Sequence, residues 1–316
     1  MRSPARYFIL PWVLALGGAG SAALASEALT TNQPADSLSF VDLATMKEVA
    51  TITIGGRPAG IALSPDGAKA YVTAPDSKEL VEVDAVSRMV TRRLVLGGAP
   101  LGIAAHPKLF ELYVADWYAH KIIVIDTKKL AVVAEIPVGQ SPSGVALTPD
   151  GRLLLSADRD SNAISIIDVA TRARIASVAV GERPFGVTID NEGGRAYTAN
   201  VKSDDVTVID IARKEVIGRI PTGRRPYAVA LARGRGFVTD QYGGTVTVFD
   251  QIKLTPIKTI EACDHPEGIA ADTLTANVYV ACWGDDVLLR LDPGALTVSG
   301  KATVGDGPRA FGKFLR

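Results

Sequence analysis

A spacing of 42 residues runs through almost the whole chain and constrains its fold more than any other feature. Aspartates that end short apolar runs recur with the same spacing as prolines in turns of the form G-x-x-P-x-G/A. The prolines are Pro58, Pro100, Pro142, Pro184, Pro226, Pro266 and Pro308, and the aspartates are Asp42, Asp84, Asp126, Asp168, Asp210, Asp250 and Asp292. Both series have successive differences of 42, 42, 42, 42, 40 and 42. A period of about 40–45 residues made of short strands is typical of a β-propeller blade. The spacing therefore predicts an all-β, seven-bladed β-propeller.

The repeat that begins at Pro58 divides into four strands. Apolar runs bounded by turn residues predict strands at 60–64, 70–74, 80–84 and 89–96. Pro65-Asp66-Gly67 predicts the turn between the first two strands. No stretch has convincing 3.6-residue periodicity, so we expect almost no helix.

The two ends of the chain predict how the ring closes. Residues 310–315 supply only a first strand, and residues 28–54 align with the second, third and fourth strands of a blade. The last blade is thus expected to contain one C-terminal strand and three N-terminal strands. Such closure removes the open sheet edges of a linear array.

The first 25 residues have the features of a secretory signal peptide. Arg2 and Arg6 precede an apolar run over residues 7–16, and Ala23-Leu24-Ala25 forms an A-x-A cleavage site. The run is shorter than the ~20 residues that span a membrane, and no later segment is long enough. We expect residues 26–316 to form one exported domain, periplasmic in a Gram-negative organism, and monomeric.

The charge balance argues against nucleic acid as a partner. Lys+Arg and Asp+Glu each number 34, and removing Arg2 and Arg6 leaves 32 against 34, a mature net charge of −2. Proteins that coat nucleic acid carry a strong basic excess.

Several repeats resemble a known family. AYVTAPDSKELVEVD, AYTANVKSDDVTVID and VYVACWGDDVLLRLD, joined to P-x-G-(I/V)-A turns, are similar to the YVTN-repeat β-propellers, which include YncE-like exported bacterial proteins. The resemblance covers residues 28–316 and implies a seven-bladed propeller and export. It implies no activity, since fold does not carry function. If blades are counted from the repeat that begins at Pro58, blade 2 departs from the pattern, because HPKLF replaces the PDG turn, and blade 5 is two residues short.

Residues that vary between the repeats are better candidates for function than the repeated Asp, Pro and Gly, which folding requires in every blade. In a propeller, the turn before the first strand and the loop after the second strand lie on one face, here called the top face. Candidate ligand-binding residues on this face are Arg57, Trp117, Arg183, Phe185, Arg225, Tyr227, Asp240, His265, Glu267, Trp283 and Arg309. Arginine beside aromatic residues suits a carboxylate, a phosphate or a protein partner. A solvated rim of mutually paired Arg and Asp is the alternative.

Cys263 and Cys282 are the only cysteines, and both belong to blade 6. In an oxidising compartment a disulfide is the default expectation. Strand pairing would set Cys282 opposite about Gly268, so Cys263 would have to curl back to reach it. Two alternatives stay open: free thiols, or a copper or zinc site of Cys263, His265 and Cys282, perhaps with Asp264 or His120.

The sequence contains no motif for nucleophilic or metal-dependent catalysis, such as G-x-S-x-G or H-E-x-x-H. We therefore expect an exported, non-catalytic binding or scaffolding propeller with no cofactor. It would recognise an anionic small ligand or a protein partner on its top face. The alternative is a periplasmic enzyme or redox accessory protein with a metal or cofactor at the channel mouth.

Overall fold

The computed structural model describes residues 27–316, and the predicted signal peptide lies outside them. These residues form 28 strands in antiparallel sheets arranged as a ring, with a single 3-10 turn, Arg159–Ser161, between them. The predicted all-β, seven-bladed propeller with four-stranded blades is confirmed. Within the described range, no helix is long and apolar enough to cross a membrane.

The strands follow one another in the predicted order, and blades are numbered from the repeat that begins at Pro58. The N-terminal strands are β1 (Glu27–Asn32), β2 (Ser37–Asp42) and β3 (Lys47–Thr53). Blade 1 contains β4 (Gly60–Leu63), β5 (Lys69–Ala74), β6 (Glu79–Asp84) and β7 (Met89–Val95). Blade 2 contains β8 (Pro100–Ala105), β9 (Glu111–Asp116), β10 (Lys121–Asp126) and β11 (Ala131–Pro137). Blade 3 contains β12 (Pro142–Leu147), β13 (Leu153–Asp158), β14 (Ala163–Asp168) and β15 (Ala173–Ala179).

The second half of the ring repeats this arrangement. Blade 4 contains β16 (Pro184–Ile189), β17 (Arg195–Asn200), β18 (Asp205–Asp210) and β19 (Glu215–Pro221). Blade 5 contains β20 (Pro226–Ala232), β21 (Arg235–Asp240), β22 (Thr245–Asp250) and β23 (Pro256–Glu261). Blade 6 contains β24 (Pro266–Ala271), β25 (Val278–Cys282), β26 (Val287–Asp292) and β27 (Thr297–Thr303). The last strand is β28 (Phe311–Gly312).

Blade 7 is built from both ends of the described chain, as predicted. The amide of Leu29 donates to the carbonyl of Phe314 at 2.9 Å, and the amide of Arg309 donates to the carbonyl of Thr31 at 2.7 Å. Arg316 and Glu27 exchange backbone hydrogen bonds at 2.9 and 3.1 Å. The C-terminal segment therefore runs antiparallel to β1 as the innermost strand, and it also bridges in parallel to β4 of blade 1.

The inner strands pack closely around the channel axis, which explains the small residues in the repeat. A Cβ atom on Gly60 would overlap the carbonyl oxygen of Leu101, and one on Gly102 would overlap that of Ser143. In both cases the obstructing carbonyl belongs to the inner strand of the next blade. Glycine after the Pro-x step thus permits neighbouring blades to approach one another.

The seven repeated aspartates have the structural role expected of them. Each carboxylate accepts a hydrogen bond from the amide three residues later, in the turn after the third strand. The donors are the amides of Thr45, Ser87, Lys129, Thr171, Arg213, Lys253 and Ala295. These local bonds favour the ionised form and hold the pKa of Asp84 and of Asp168 below the usual value. The aspartates form turns, not a catalytic ring.

Candidate binding site on the top face

The turns before the first strands project their variable side chains outward. Arg57, Arg183 and Arg225 have φ between 52° and 57°, the left-handed region. An acceptor side chain 21 residues earlier binds each of their amides, at 2.7 Å from Asp36, 2.8 Å from Asn162 and 2.7 Å from Asp204. This contact links neighbouring blades and holds the strained backbone. It leaves the three arginine side chains in solvent.

Two of these guanidinium groups lack a carboxylate partner. Among residues 27–316, ion pairs near these turns join Arg57 to Asp76 at 3.8 Å and Lys202 to Glu182 at 2.5 Å, and they leave Arg183 and Arg225 unpaired. The alternative of a solvated rim of mutually paired Arg and Asp therefore describes Arg57 and Asp76 but not Arg183 and Arg225.

An aromatic ring packs on Arg225, and further rings continue from it toward blade 6. The guanidinium carbon of Arg225 lies 4.6 Å from the centroid of Tyr242, which stands 5.2 Å from His265. The His265 ring is in turn 6.1 Å from Trp283. These four residues form a contiguous group, and together with Arg183, at the equivalent exposed turn of blade 4, we call them the top arc. Sequence reasoning missed Tyr242, although it occupies the same repeat position as Tyr118, two residues after the end of the second strand.

Phe185 and Tyr227 lie deeper than the top arc and close the channel beneath it. Their ring centroids are 4.5 Å apart, and both contact Phe311, at 5.0 and 5.5 Å. Trp117 joins this group at 6.2 Å from Phe185, and its outer face is covered by Arg159. Below the rings, the channel is a cavity of about 610 Å³ that extends to the turns of the opposite face. Tyr227 is buried, so its expected role as an exposed ligand contact is not supported.

Glu267 is buried, and it pairs with the partly exposed side chain of Arg309. Glu267 is 1% exposed, and its carboxylate lies 2.8 Å from Nε of Arg309. The side-chain amide of Gln241 donates to the same carboxylate at 2.6 Å. Burial raises the pKa of Glu267, although the nearby guanidinium of Arg309 opposes that shift. The two side chains form an ion pair, so these two predicted ligand contacts are placed where they bind each other.

Asp240 has a structural position rather than an exposed one, which corrects its prediction as a loop contact. Its buried carboxylate accepts hydrogen bonds from the hydroxyls of Thr245 and Thr247 at 2.9 and 2.7 Å and from the amide of Gly223 at 3.1 Å. Burial raises its pKa to about 6. Asn32, Asp158 and Asn200 contact the third strand of their own blades in the same way. The signal in the sequence is a Ser or Thr seven residues after the Asp or Asn.

The sulfurs of Cys263 and Cys282 are bonded to each other, and their Cα atoms are 5.9 Å apart. A β-bulge between Pro266 and Ile269 sets Cys282 opposite Pro266. The expected register, with Cys282 opposite Gly268, was therefore wrong by two residues, and no curling back of Cys263 is needed.

The histidines of the predicted metal site form hydrogen bonds within the protein. Nδ1 of His265 lies 2.6 Å from the Asp264 carboxylate, and Nδ1 of His120 accepts the amide of Ser141 at 3.0 Å. Within residues 27–316, no three His, Cys, Asp or Glu side chains are arranged to hold a metal ion.

The sequence matches no family model and no curated protein, whereas solved structures share its fold. Hydrazine synthase from Kuenenia stuttgartiensis is 21% identical, with a TM-score of 0.72 over 80% of this chain and 88% of that one. A functionally unknown protein from Desulfotomaculum acetoxidans DSM 771 is 17% identical, with a TM-score of 0.76 over 90% and 99%. Dihydro-heme d1 dehydrogenase NirN, in complex with DHE, is 13% identical, with a TM-score of 0.68 over 92% and 74%. At these identities the likeness concerns the propeller fold alone.

Proposed function

We propose that this protein is an exported, non-catalytic binding propeller whose top arc docks an anionic group. The observation that carries the proposal is the pair of guanidinium groups of Arg183 and Arg225, which lack a carboxylate partner, together with the exposed ring of Tyr242 beside Arg225. An unpaired guanidinium offers a fork of donors that fits a carboxylate or a phosphate. Aromatic neighbours add contact area and are common at the centre of protein interfaces.

The position of the top arc favours an anionic group presented on the surface of a partner over a small ligand that is engulfed. Phe185, Tyr227 and Phe311 fill the channel beneath the arc, so its arginines lie on a rim and not in a deep pit. Small-molecule sites usually bury most of the ligand in a cleft. An acidic segment of a protein can instead lie across the rim and meet both guanidinium groups.

The test compares a double variant of the top arc with a matched pair on the opposite face. Fluorescence anisotropy with a labelled hexaglutamate peptide should show saturable binding that weakens as salt is added. Arg183→Ala with Arg225→Ala should weaken binding by about tenfold or more, because each removes a charge-assisted contact. Its free energy of unfolding should stay within about 1 kcal/mol, as for other exposed substitutions.

The control is Arg152→Ala with Arg213→Ala, two exposed arginines in turns of the opposite face. This control should bind the peptide as the native protein does. Normal binding by the top-arc variant, or an equal loss in the control, would refute the proposal. Citrate, tested in the same assay as a competitor, distinguishes a compact anion from an extended acidic segment.

The rival proposal places a metal or a cofactor at the channel mouth. Its residues were Cys263, His265 and Cys282, and the bond between the two sulfurs leaves neither of them as a thiolate ligand. Two of the structurally similar proteins, hydrazine synthase and NirN, are enzymes, but identities of 21% and 13% carry no activity to this chain. The arrangement of the top face therefore favours the binding proposal.

Export is the part of the proposal that rests on the sequence, supported by a disulfide of the kind that persists in oxidising compartments. Intact mass spectrometry of protein from the exported fraction should give the mass of residues 26–316 without the two thiol hydrogens of Cys263 and Cys282. Denatured, unreduced protein should contain no reactive thiol. A mass that includes residues 1–25 would contradict cleavage after Ala25, and two reactive thiols would contradict the bond.

A further inference from the structure

A groove opens between blades 1 and 2 on the bottom face, which carries the turns after the first and third strands. It is a cavity of about 640 Å³. Blade 1 contributes Tyr71 and Arg92 to its walls, and blade 2 contributes Leu109, Phe110 and Lys128. The groove lies at the end of the molecule opposite the top arc.

The groove occurs where blade 2 departs from the repeat. In blades 1 and 3 the corresponding turns are Ser64-Pro65-Asp66-Gly67 and Thr148-Pro149-Asp150-Gly151. In blade 2, Lys108 replaces the aspartate, Leu109 replaces the glycine, and Phe110 follows. Leu109 is 50% exposed and Phe110 is 60% exposed. A turn that elsewhere presents an anion and a glycine here presents a cation and two large apolar side chains.

The imidazole of His106 holds this turn in one shape. Nδ1 accepts the amides of Lys108 and Leu109 at 3.0 and 2.9 Å, and Nε2 lies 3.1 Å from the carbonyl oxygen of Gly151 in blade 3. Since Nδ1 is an acceptor twice, Nε2 carries the proton and donates it to that carbonyl. The His106 ring is buried, so the turn that carries Leu109 and Phe110 is held in place before any ligand binds.

Positive charge dominates the walls of the groove. Arg92 and Lys69 both pair with the buried carboxylate of Glu82, and Arg92 also donates to the carbonyls of Thr127 and Lys128, at 2.7 and 3.0 Å. Nζ of Lys128 lies 3.8 Å from the ring centroid of Phe110. Among residues 27–316, neither Lys108 nor Lys128 forms an ion pair.

The carboxylates at the border of the groove are already occupied. Asp66 accepts the hydroxyl of Ser64 at 2.5 Å and the amide of Ala68 at 3.1 Å. Glu111 pairs with Arg172 at 3.0 Å and accepts the hydroxyl of Tyr113 at 2.6 Å. The lysines of the groove are therefore the groups left to bind a charge from outside.

We propose that this groove binds a small organic anion with an aromatic or aliphatic body. The body packs against Phe110 and Leu109, where removal of apolar surface from water favours binding. The anionic end pairs with Lys128 and Lys108 at the rim. The volume is within the range of about 300–1,000 Å³ that is usual for small-molecule sites.

The experiment titrates the mature protein with 4-phenylbutyrate and with the neutral analogue 4-phenylbutanol by isothermal calorimetry. Binding of 4-phenylbutyrate should be saturable, and 4-phenylbutanol should bind more weakly. Phe110→Ser should weaken both ligands by about tenfold, because the apolar contact is lost. Lys128→Gln should weaken only the carboxylate, by about fivefold, because only that ligand carries a charge.

Two controls carry the same types of change in other bottom-face turns. They are Leu274→Ser, at a side chain that is 90% exposed in blade 6, and Lys253→Gln in blade 5. Both should bind as the native protein does, and all four variants should keep the native melting temperature. The proposal is overturned if 4-phenylbutyrate does not saturate at millimolar concentrations. It is also overturned if Phe110→Ser and Lys128→Gln bind normally, or if the controls lose as much affinity.

Discussion

Arginines on the two sides of the repeat proline have different roles. Arg183 precedes Pro184 and extends into solvent without a carboxylate partner, whereas Arg309 follows Pro308 and pairs with Glu267 beside the channel. Arg183 has a left-handed backbone, with φ of 57°, and its side chain is exposed. The residue after the proline begins the inner strand. Two positions along the repeat therefore separate a group available for binding from a group that pairs beside the channel.

Asp240 provides a test of a buried carboxylate through the pH dependence of stability. Its pKa is raised from the ordinary 3.8 to about 6, so between about pH 4 and 6 the folded state binds more protons than the unfolded state. Stability should then fall as the pH rises through this window and stay level above it. Asp240→Asn removes the titration while keeping the side-chain shape found at Asn32 and Asn200.

Urea unfolding at pH 4 and pH 7 measures the effect. The stability of the native protein minus that of Asp240→Asn should decrease between these values by up to roughly 3 kcal/mol, the equivalent of about two pKa units. Asp306→Asn, at an exposed carboxylate, is the surface control. An unchanged difference for Asp240→Asn would mean that the carboxylate keeps its ordinary pKa.

At the scale of the elements, the predicted strands agree with the structure because their boundaries depend on local chemistry. The predicted strands of blade 1 were 60–64, 70–74, 80–84 and 89–96, and the observed ones differ by no more than one residue at either end. The turns between them are made by nearby residues: Asp66 accepts the amide of Ala68, and Asp84 accepts that of Ser87. These local patterns recur from blade to blade, so the strand bounds predicted for blade 1 could be carried over to the other repeats.

Register and side-chain direction could not be predicted as well, because they depend on contacts between distant residues. The bulge in β24 moved the partner of Cys282 from Gly268 to Pro266. Phe185 and Tyr227 turn inward because Phe311, from the far end of the chain, meets them across the channel. Neither contact has a counterpart in the 42-residue period, so the period predicted which residues share the top face but not how deeply each lies.

At the scale of the whole molecule, the two ends of the channel differ in chemistry. Rings from blades 4, 5 and 7 close the top, while the cavity below is lined as far as the bottom turns by Pro65, Pro107 and Pro149. The top arc and the bottom groove are therefore separate surfaces on opposite ends of one ring. Both combine cations that lack partners with exposed aromatic side chains, which folding does not require of either face.

The ring itself depends on a short strand that joins its two ends. Phe314 is fully buried in the cluster that includes Leu29 and Phe40, and its carbonyl accepts the amide of Leu29. Beyond it, Arg316 pairs with the buried carboxylate of Glu27 at 2.8 Å. Every other blade has continuous chain from its first strand to its fourth, so only blade 7 is held together by side-chain and strand contacts alone.

Loss of that contact should therefore destabilise the whole ring. Phe314→Ala should lower the free energy of unfolding by about 3–5 kcal/mol, because it removes a large buried side chain and leaves a cavity. Lys313→Ala, next to it and exposed, should change it by less than about 0.5 kcal/mol. Deletion of residues 310–316 should cost more than Phe314→Ala, since it also exposes the strand edges of β1 and β4. Thermal and urea unfolding measure all three, and a native melting temperature for the deletion variant would show that the ring closes without this strand.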